Sequence, residues 1–245
     1  MQVIGVIPAR ISSSRFPKKL LKPLLGKSVI EWTWLNAKRS KSLDDLIIAC
    51  DDEKIINEAR RFGAKAVFTS PNHLSGTDRI AEAVSQIDTD IVINIQADEP
   101  LIHPSVVDSL TEVMLQDSNL VMATAIKEIE DEEEVKDPNV VKVVTDKDNF
   151  ALYFSRAPIP FLRDQSSQVI YFKHIGIYAY TKDFLYVFKN LPPSRLEQVE
   201  KLEQLRILEA GFKLKTVLTS FDSWGIDTEE DLEKVERVLT EKGYA

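Results

Sequence analysis

The feature that most constrains this chain is an alternation along its first half. Short apolar runs at residues 3–7, 46–49, 65–68 and 91–95 take turns with stretches of helical spacing at 28–40, 53–62, 77–86 and 104–116. The runs are too short for helices and are apolar on consecutive positions, as strands covered on both faces require. In the first helical stretch, Ile30, Trp34, Leu35 and Ala37 fall at helical spacing. Parallel strands need crossovers of a dozen or more residues, and intervening helices supply them. The chain therefore reads as α/β, with a parallel sheet between helices on both faces.

Beyond residue 120 the pattern changes. Strand-like runs at 121–126 and 140–144 flank an acidic stretch, 128–137, which reads as a solvated loop or helix face. A strand at 151–154 leads into Arg156-Ala157-Pro158-Ile159-Pro160. Residues 169–180 alternate and are rich in β-branched and aromatic side chains, as one or two strands do. Helices are expected at 182–189 and 196–210, a late strand at 213–218 and a last helix at 228–240. No internal repeat or low-complexity tract occurs. The expectation is one domain over 1–245, with a β-rich lobe of about 126–212 inserted between a first part, 1–125, and its completion at 213–245.

Formal net charge is −8. Duplex nucleic-acid binders normally need surplus Lys and Arg to displace counterions, so the charge argues against that class. A local cation cluster still suffices for one nucleotide. The single cysteine, Cys50, permits no intramolecular disulfide and no cysteine-based metal site, and reads as a small core residue. No apolar run approaches the ~20 residues of a membrane span. The expected setting is the reducing cytoplasm.

The first strand runs into Pro8-Ala9-Arg10-Ile11-Ser12-Ser13-Ser14-Arg15-Phe16-Pro17-Lys18-Lys19. Ligands of parallel sheets collect beyond the C-terminal strand ends, where this segment must lie. Arg10, Arg15, Lys18 and Lys19 suit phosphate oxygens, and the serines add neutral donors. A polar surface loop is the alternative. Gly26-Lys27-Ser28 resembles the end of a P-loop, but Leu21 stands where its first glycine belongs, so Gly26 reads as a turn residue.

Further motifs follow in order: Ser75-Gly76-Thr77-Asp78-Arg79, Gln96-Ala97-Asp98-Glu99-Pro100, the segment from Ala151 to Arg156, Lys173-His174-Ile175-Gly176-Ile177-Tyr178, Leu202-Glu203-Gln204-Leu205-Arg206, and Gly225-Ile226-Asp227-Thr228. With the phosphate loop, this set resembles the 3-deoxy-manno-octulosonate cytidylyltransferase (CMP-KDO synthetase) family along nearly the whole chain. The resemblance implies a nucleotidyltransferase-type three-layer sandwich with a mostly parallel sheet. It also implies that the inserted lobe binds sugar and forms a homodimer. The reaction it implies joins CTP to KDO, an acidic octulosonate, releasing pyrophosphate and supplying lipopolysaccharide synthesis.

The same resemblance distributes roles. Asp98 and Asp227 become Mg²⁺ ligands. Arg10 and Lys19 become triphosphate contacts, with Arg15 as a third, and Pro8, Ala9 and Ser13 complete the loop. Ser75, Gly76, Arg79 and Gln96 face the nucleotide, and Arg156, His174, Tyr178, Glu203 and Gln204 face the sugar. Taken alone, Asp227 before Thr228 would read as a helix cap and Ser75 likewise. Glu99 reads either as a helper or as a solvent-facing acid. His73 and His103 read as loop residues. The implied chemistry is in-line attack of the anomeric hydroxyl on the α-phosphorus, with metal and positioning in place of a side-chain base.

Ala97 departs from a usual family glycine, and Lys18 and Leu20 from a usual Gly and Pro. An 8-amino analogue of KDO or sialic acid is an alternative substrate. A metal-dependent glycosyltransferase is disfavoured by the cationic loop, and a non-catalytic nucleotide-binding regulator by the retained acid pair.

Overall fold

A computed structural model describes all residues except 14–15, 165–168, 242 and 244–245. Strand β1 (Val3–Ala9) opens the chain and is buried over almost its full length. A short 3₁₀ turn at Lys19–Leu21 and a hairpin of β2 (Pro23–Leu24) and β3 (Lys27–Ser28) follow. The hairpin turns on Leu25 and Gly26, both at positive φ, so Gly26 is a turn glycine as expected. Then come α1 (Val29–Ala37), β4 (Asp45–Cys50), α2 (Glu53–Arg61), β5 (Lys65–Phe68), α3 (Gly76–Ala83), β6 (Ile91–Asn94) and α4 (Pro104–Gln116). Ser28, Asp52 and Ser75 each accept a backbone N–H at the start of α1, α2 and α3, and Pro104 opens α4.

The second half contributes β7 (Met122–Glu128), α5 (Glu132–Lys136), β8 (Lys142–Thr145), β9 (Ala151–Ser155), β10 (Phe172–Thr181), α6 (Lys182–Asn190), α7 (Arg195–Glu200), α8 (Leu205–Glu209), β11 (Lys215–Leu218) and α9 (Glu229–Glu241). The main sheet runs β11-β7-β10-β6-β1-β4-β5, with β8 and β9 joined alongside β10. The pairs of β1 with β4 and β6, of β4 with β5, and of β11 with β7 are parallel; β10 runs antiparallel to both neighbours. The sheet is therefore mixed and mostly parallel, as expected.

Two apolar clusters cover its faces, giving three layers. Ile30 and Trp34 of α1, Ile55 and Ala59 of α2, and Val107 and Leu110 of α4 fill one. Ile80 of α3, Phe184 and Phe188 of α6, and Ile207 of α8 fill the other. Cys50 is fully buried in the first cluster. Among the described residues no helix is long and apolar enough to cross a membrane.

Two open readings resolve, and one expectation changes. Residues 169–180 give one strand with an irregularity between Ile175 and Tyr178, around Gly176. The acidic stretch contains the short helix α5, none of whose residues is buried. The helix expected over 196–210 is broken in two. Lys201 ends α7 in the left-handed conformation (φ 56°), and Glu203 and Gln204 occupy the break. Tertiary demand overrides helical spacing here, because both side chains must reach other elements.

Candidate active site

The C-terminal ends of β1 and β6 open into a cavity of about 400 Å³. Pro8, Arg10, Ser12, Ser13 and Lys19 line it from the phosphate loop, and Gln96, Ala97 and Asp98 from the end of β6. His73, Leu74, Ser75, Gly76 and Arg79 close one side, and Asp227 another. Ala9 is the buried last residue of β1 and supports the loop from below. Arg15 lies outside the described residues.

The loop carrying Asp98 is fastened by α1. Thr33 donates to the Ala97 carbonyl at 3.0 Å and Asn36 to the Pro100 carbonyl at 2.6 Å. Asp227 arrives from the far end of the sequence. Ile226 N–H donates to the Asp98 carbonyl at 2.9 Å, so the two segments are stitched together by backbone. The cap of α9 is made by Thr228 and Asp231, whose side chains accept each other's backbone N–H at 3.2 and 3.0 Å. Asp227 is thereby released from the capping role its sequence context suggested.

Lys19 sits between the two acids. Its Nζ lies 2.5 Å from Asp98 Oδ2 and 2.9 Å from Asp227 Oδ1. Burial works against the ammonium charge, but the Asp98 and Asp227 carboxylates outweigh it and raise the lysine above its ordinary value. One ammonium thus spans both carboxylates, so two hard oxygen donors converge on a single point. This suits Mg²⁺, which is bound through one or two carboxylates and takes water and phosphate oxygens for the rest. Among the described residues no group of three or more His, Cys, Asp or Glu could hold a metal.

Arg79 lines the cavity but is itself held. It is 4% exposed, and its guanidinium donates to Asp51 at 3.0 Å and to Thr69 at 2.7 Å. The other Asp51 oxygen accepts Ile11 N–H at 3.0 Å. Arg79 therefore ties the phosphate loop to α3 through Asp51. Arg10 is exposed at the cavity rim. Ser75 caps α3 and also donates to Asp78 at 3.0 Å. His73 pairs with Glu82, and Glu82 also accepts Ser70 N–H at 2.9 Å, which orders the 70–75 loop. Nothing in the spacing of His73 marked it as a cavity residue.

Glu99 does not face solvent. It is 8% exposed, and burial, with help from the Asp98 charge, pushes its carboxyl up to about 7 against a hydrogen bond from Ser223. Ala97 has no positive φ, and its methyl joins the core, so replacing glycine there strains nothing. Lys18 is different: its φ of 56° is the left-handed conformation that glycine adopts freely.

A second cavity of about 270 Å³ adjoins the first through Gly76 and Gln96. His174, Gly176 and Tyr178 of β10 line it with Lys201, Glu203 and Gln204 from the α7–α8 break. Burial depresses His174 to about 3, so its ring is neutral; it bonds Thr124 at 2.9 Å. Tyr178 donates to Gln204 Oε1 at 3.3 Å, and Thr77 donates to Glu203 at 3.0 Å. The Gln204 Nε2 donor is buried without a protein partner. A ligand oxygen in this cavity would satisfy it. Arg156 lines neither cavity; its guanidinium donates to the carbonyls of Glu200 and Pro138, both at 2.8 Å.

Known proteins resemble this chain over nearly its whole length. A sequence family described as cytidylyltransferase matches residues 4–217. A 3-deoxy-manno-octulosonate cytidylyltransferase of Solibacter usitatus is 47% identical over 97% of this chain and 94% of its own length. One of Chloroherpeton thalassium is 48% identical over 99% of both. A solved structure of a CMP:2-keto-3-deoxy-manno-octonic acid synthetase complexed with CTP superposes with a TM-score of 0.94 at 39% identity, covering 99% of this chain and 100% of that one. By sequence and by fold, this chain belongs to the cytidylyltransferase family, among its 3-deoxy-manno-octulosonate members.

Proposed function

We propose that this enzyme transfers the cytidylyl group of CTP to KDO, giving CMP-KDO and pyrophosphate for lipopolysaccharide synthesis, with Mg²⁺ as its metal. The observation that carries the reading is the meeting of Asp98, Asp227 and Lys19 beside the phosphate loop. The names of the relatives and the CTP complex of the structural neighbour support the substrates.

The residues divide the work. Arg10, Ser13 and the loop backbone receive the triphosphate, and Lys19 neutralises charge developing on the leaving pyrophosphate. Asp98 and Asp227 would hold the metal, whose charge would polarise the α-phosphate and lower the pKa of the attacking hydroxyl. The second cavity holds the sugar through Gln204, Tyr178, His174 and Glu203. That it shares Gly76 and Gln96 with the first supports a sugar bound within reach of the nucleotide. A homodimer in the cytoplasm completes the reading. Leu152, Phe161 and Ile170, all exposed in the 126–212 segment, support the subunit contact.

The test incubates the protein with labelled CTP and a panel of KDO, 8-amino-KDO and sialic acid, with Mg²⁺ or with EDTA. CMP-KDO and pyrophosphate should form in equal amounts, only with Mg²⁺. Turnover of another sugar in preference to KDO, or full turnover in EDTA, would overturn the assignment.

A further inference from the structure

The segment between β11 and Asp227, residues 219–226, has no regular structure, yet it must set Asp227 against Asp98. Its backbone contributes Thr219 N–H to the Ile126 carbonyl at one end and Ile226 N–H to the Asp98 carbonyl at the other, both at 2.9 Å. Between them, the Phe221 ring stacks on His103 with centroids 3.4 Å apart. The centre is held by charge. Asp222 Oδ2 lies 3.0 Å from Lys127 Nζ on β7, and its Oδ1 lies 2.7 Å from Lys173 Nζ on β10. Both lysine side chains are only 12% exposed. Lys173 is steadied in turn by Glu134 of α5 at 2.8 Å.

We propose that Lys127, Lys173 and Asp222 form a positioning clamp that presents Asp227 to Asp98 across an otherwise unstructured crossing. Two ammonium groups on neighbouring strands grip one carboxylate, so the crossing is fixed laterally as well as along the chain. Loss of one grip leaves a half-buried charge with a single partner, and the crossing gains freedom four to five residues before Asp227. None of the three lines either cavity, so the clamp acts from outside both. A support of this kind moves metal affinity by about 10- to 100-fold without touching the metal. The inference rests on the metal-binding reading of the Asp98–Asp227 pair.

Three variants test it: Asp222→Asn, Lys173→Met and Lys173→Arg. For each, the half-saturating Mg²⁺ concentration, the KM for CTP at saturating Mg²⁺, Mn²⁺ binding by electron paramagnetic resonance in the presence of CTP, and amide exchange at Ile226 are measured. Asp222→Asn and Lys173→Met should raise the Mg²⁺ requirement about tenfold, weaken Mn²⁺ binding in step and speed Ile226 exchange, with KM for CTP within about twofold of the parent. Lys173→Arg should restore all three. Parental metal affinity and exchange in Lys173→Met, or no rescue by Lys173→Arg, would overturn the clamp. A KM for CTP that rises even at saturating Mg²⁺ would also overturn it, by showing general damage. If Asp222→Asn does not fold, the two Lys173 variants decide. Full turnover by Asp227→Asn would instead sink the underlying metal reading.

Discussion

Gly76 and Gln96 stand between two cavities that treat charge in opposite ways. On the phosphate-loop side, Lys19 is ion-paired with two carboxylates, and Arg10 stays exposed at the rim. On the β10 side, burial governs: His174 is neutral, Tyr178 holds its proton far above the ordinary value, and Glu203 is raised by burial. The first arrangement suits a polyanion that brings a metal. The second suits a polyol read by neutral donors and acceptors, with Lys201 at its edge as the nearby cation. A phosphate ligand must be met by charge, whereas hydroxyls are discriminated best by buried groups that would otherwise go unpaired.

The largest effects should fall on the charged side. Asp98→Asn removes half of the proposed metal pair and is expected to lower kcat by about 10³-fold or more while the protein stays folded. Near-parental turnover would dissolve the contrast altogether. Lys19→Met sharpens it, because Lys19 has two duties of opposite sign. Without its ammonium, turnover should drop about 10²- to 10³-fold as pyrophosphate loses a counter-charge. In the absence of CTP, however, Mn²⁺ should bind more tightly, because the lysine no longer competes for the two carboxylates. Calorimetric titration of the nucleotide-free variant with Mn²⁺ checks this; unchanged or weaker binding would show that Lys19 does not occupy the metal position.

The next effect separates the cavities by pH. Burial holds His174 at about 3 in the folded protein, against about 6.5 in an unfolded chain. Below pH 6.5 the unfolded chain takes a proton that the folded one refuses, so stability falls as pH drops from about 6.5 towards 3. At pH 5 the loss should be about 2 kcal/mol. The sign reverses on the charged side. Lys19 is raised in the folded state, so its stabilisation is complete below about 10.5 and is lost only as pH rises through the folded value. Urea unfolding at pH 7 and pH 5 should show the acid loss in the parent and a much smaller one in His174→Gln. Equal losses in both would place the acid sensitivity elsewhere.

These two regions were not equally legible in the sequence. The parallel core followed from apolar runs and helical spacing, because those patterns are local. The acids at 98 and 227 emerged only through the ordered motifs, since nothing in their spacing brings them together; sheet order and the 219–226 crossing do that. Lys19 read as a phosphate contact, but its bridge between the acids was invisible, as was the Arg79–Asp51–Ile11 tie. The α7–α8 break was hidden for a physical reason. Its residues have good helical spacing, and the left-handed turn at Lys201 arises from what Glu203 and Gln204 must reach, namely Thr77 and Tyr178. Lys18 stood out as a departure from glycine, but only the backbone shows that it adopts the conformation glycine would take without strain.

The smallest effect tests whether the β10 side reads its ligand through neutral hydrogen bonds. Tyr178→Phe removes the hydroxyl that donates to Gln204 Oε1, and little else changes in shape. That bond is long, at 3.3 Å, so its loss is worth about 1 kcal/mol, the ordinary net value of a neutral hydrogen bond. The Gln204 amide then loses the contact that sets its orientation, and with it the aim of the buried Nε2 donor. KM for the sugar should rise about fivefold, with KM for CTP unchanged. A rise in KM for CTP instead would mean that the cavities share more than Gly76 and Gln96. No change in either would mean that Gln204 is oriented by its surroundings and that Tyr178 serves the core alone.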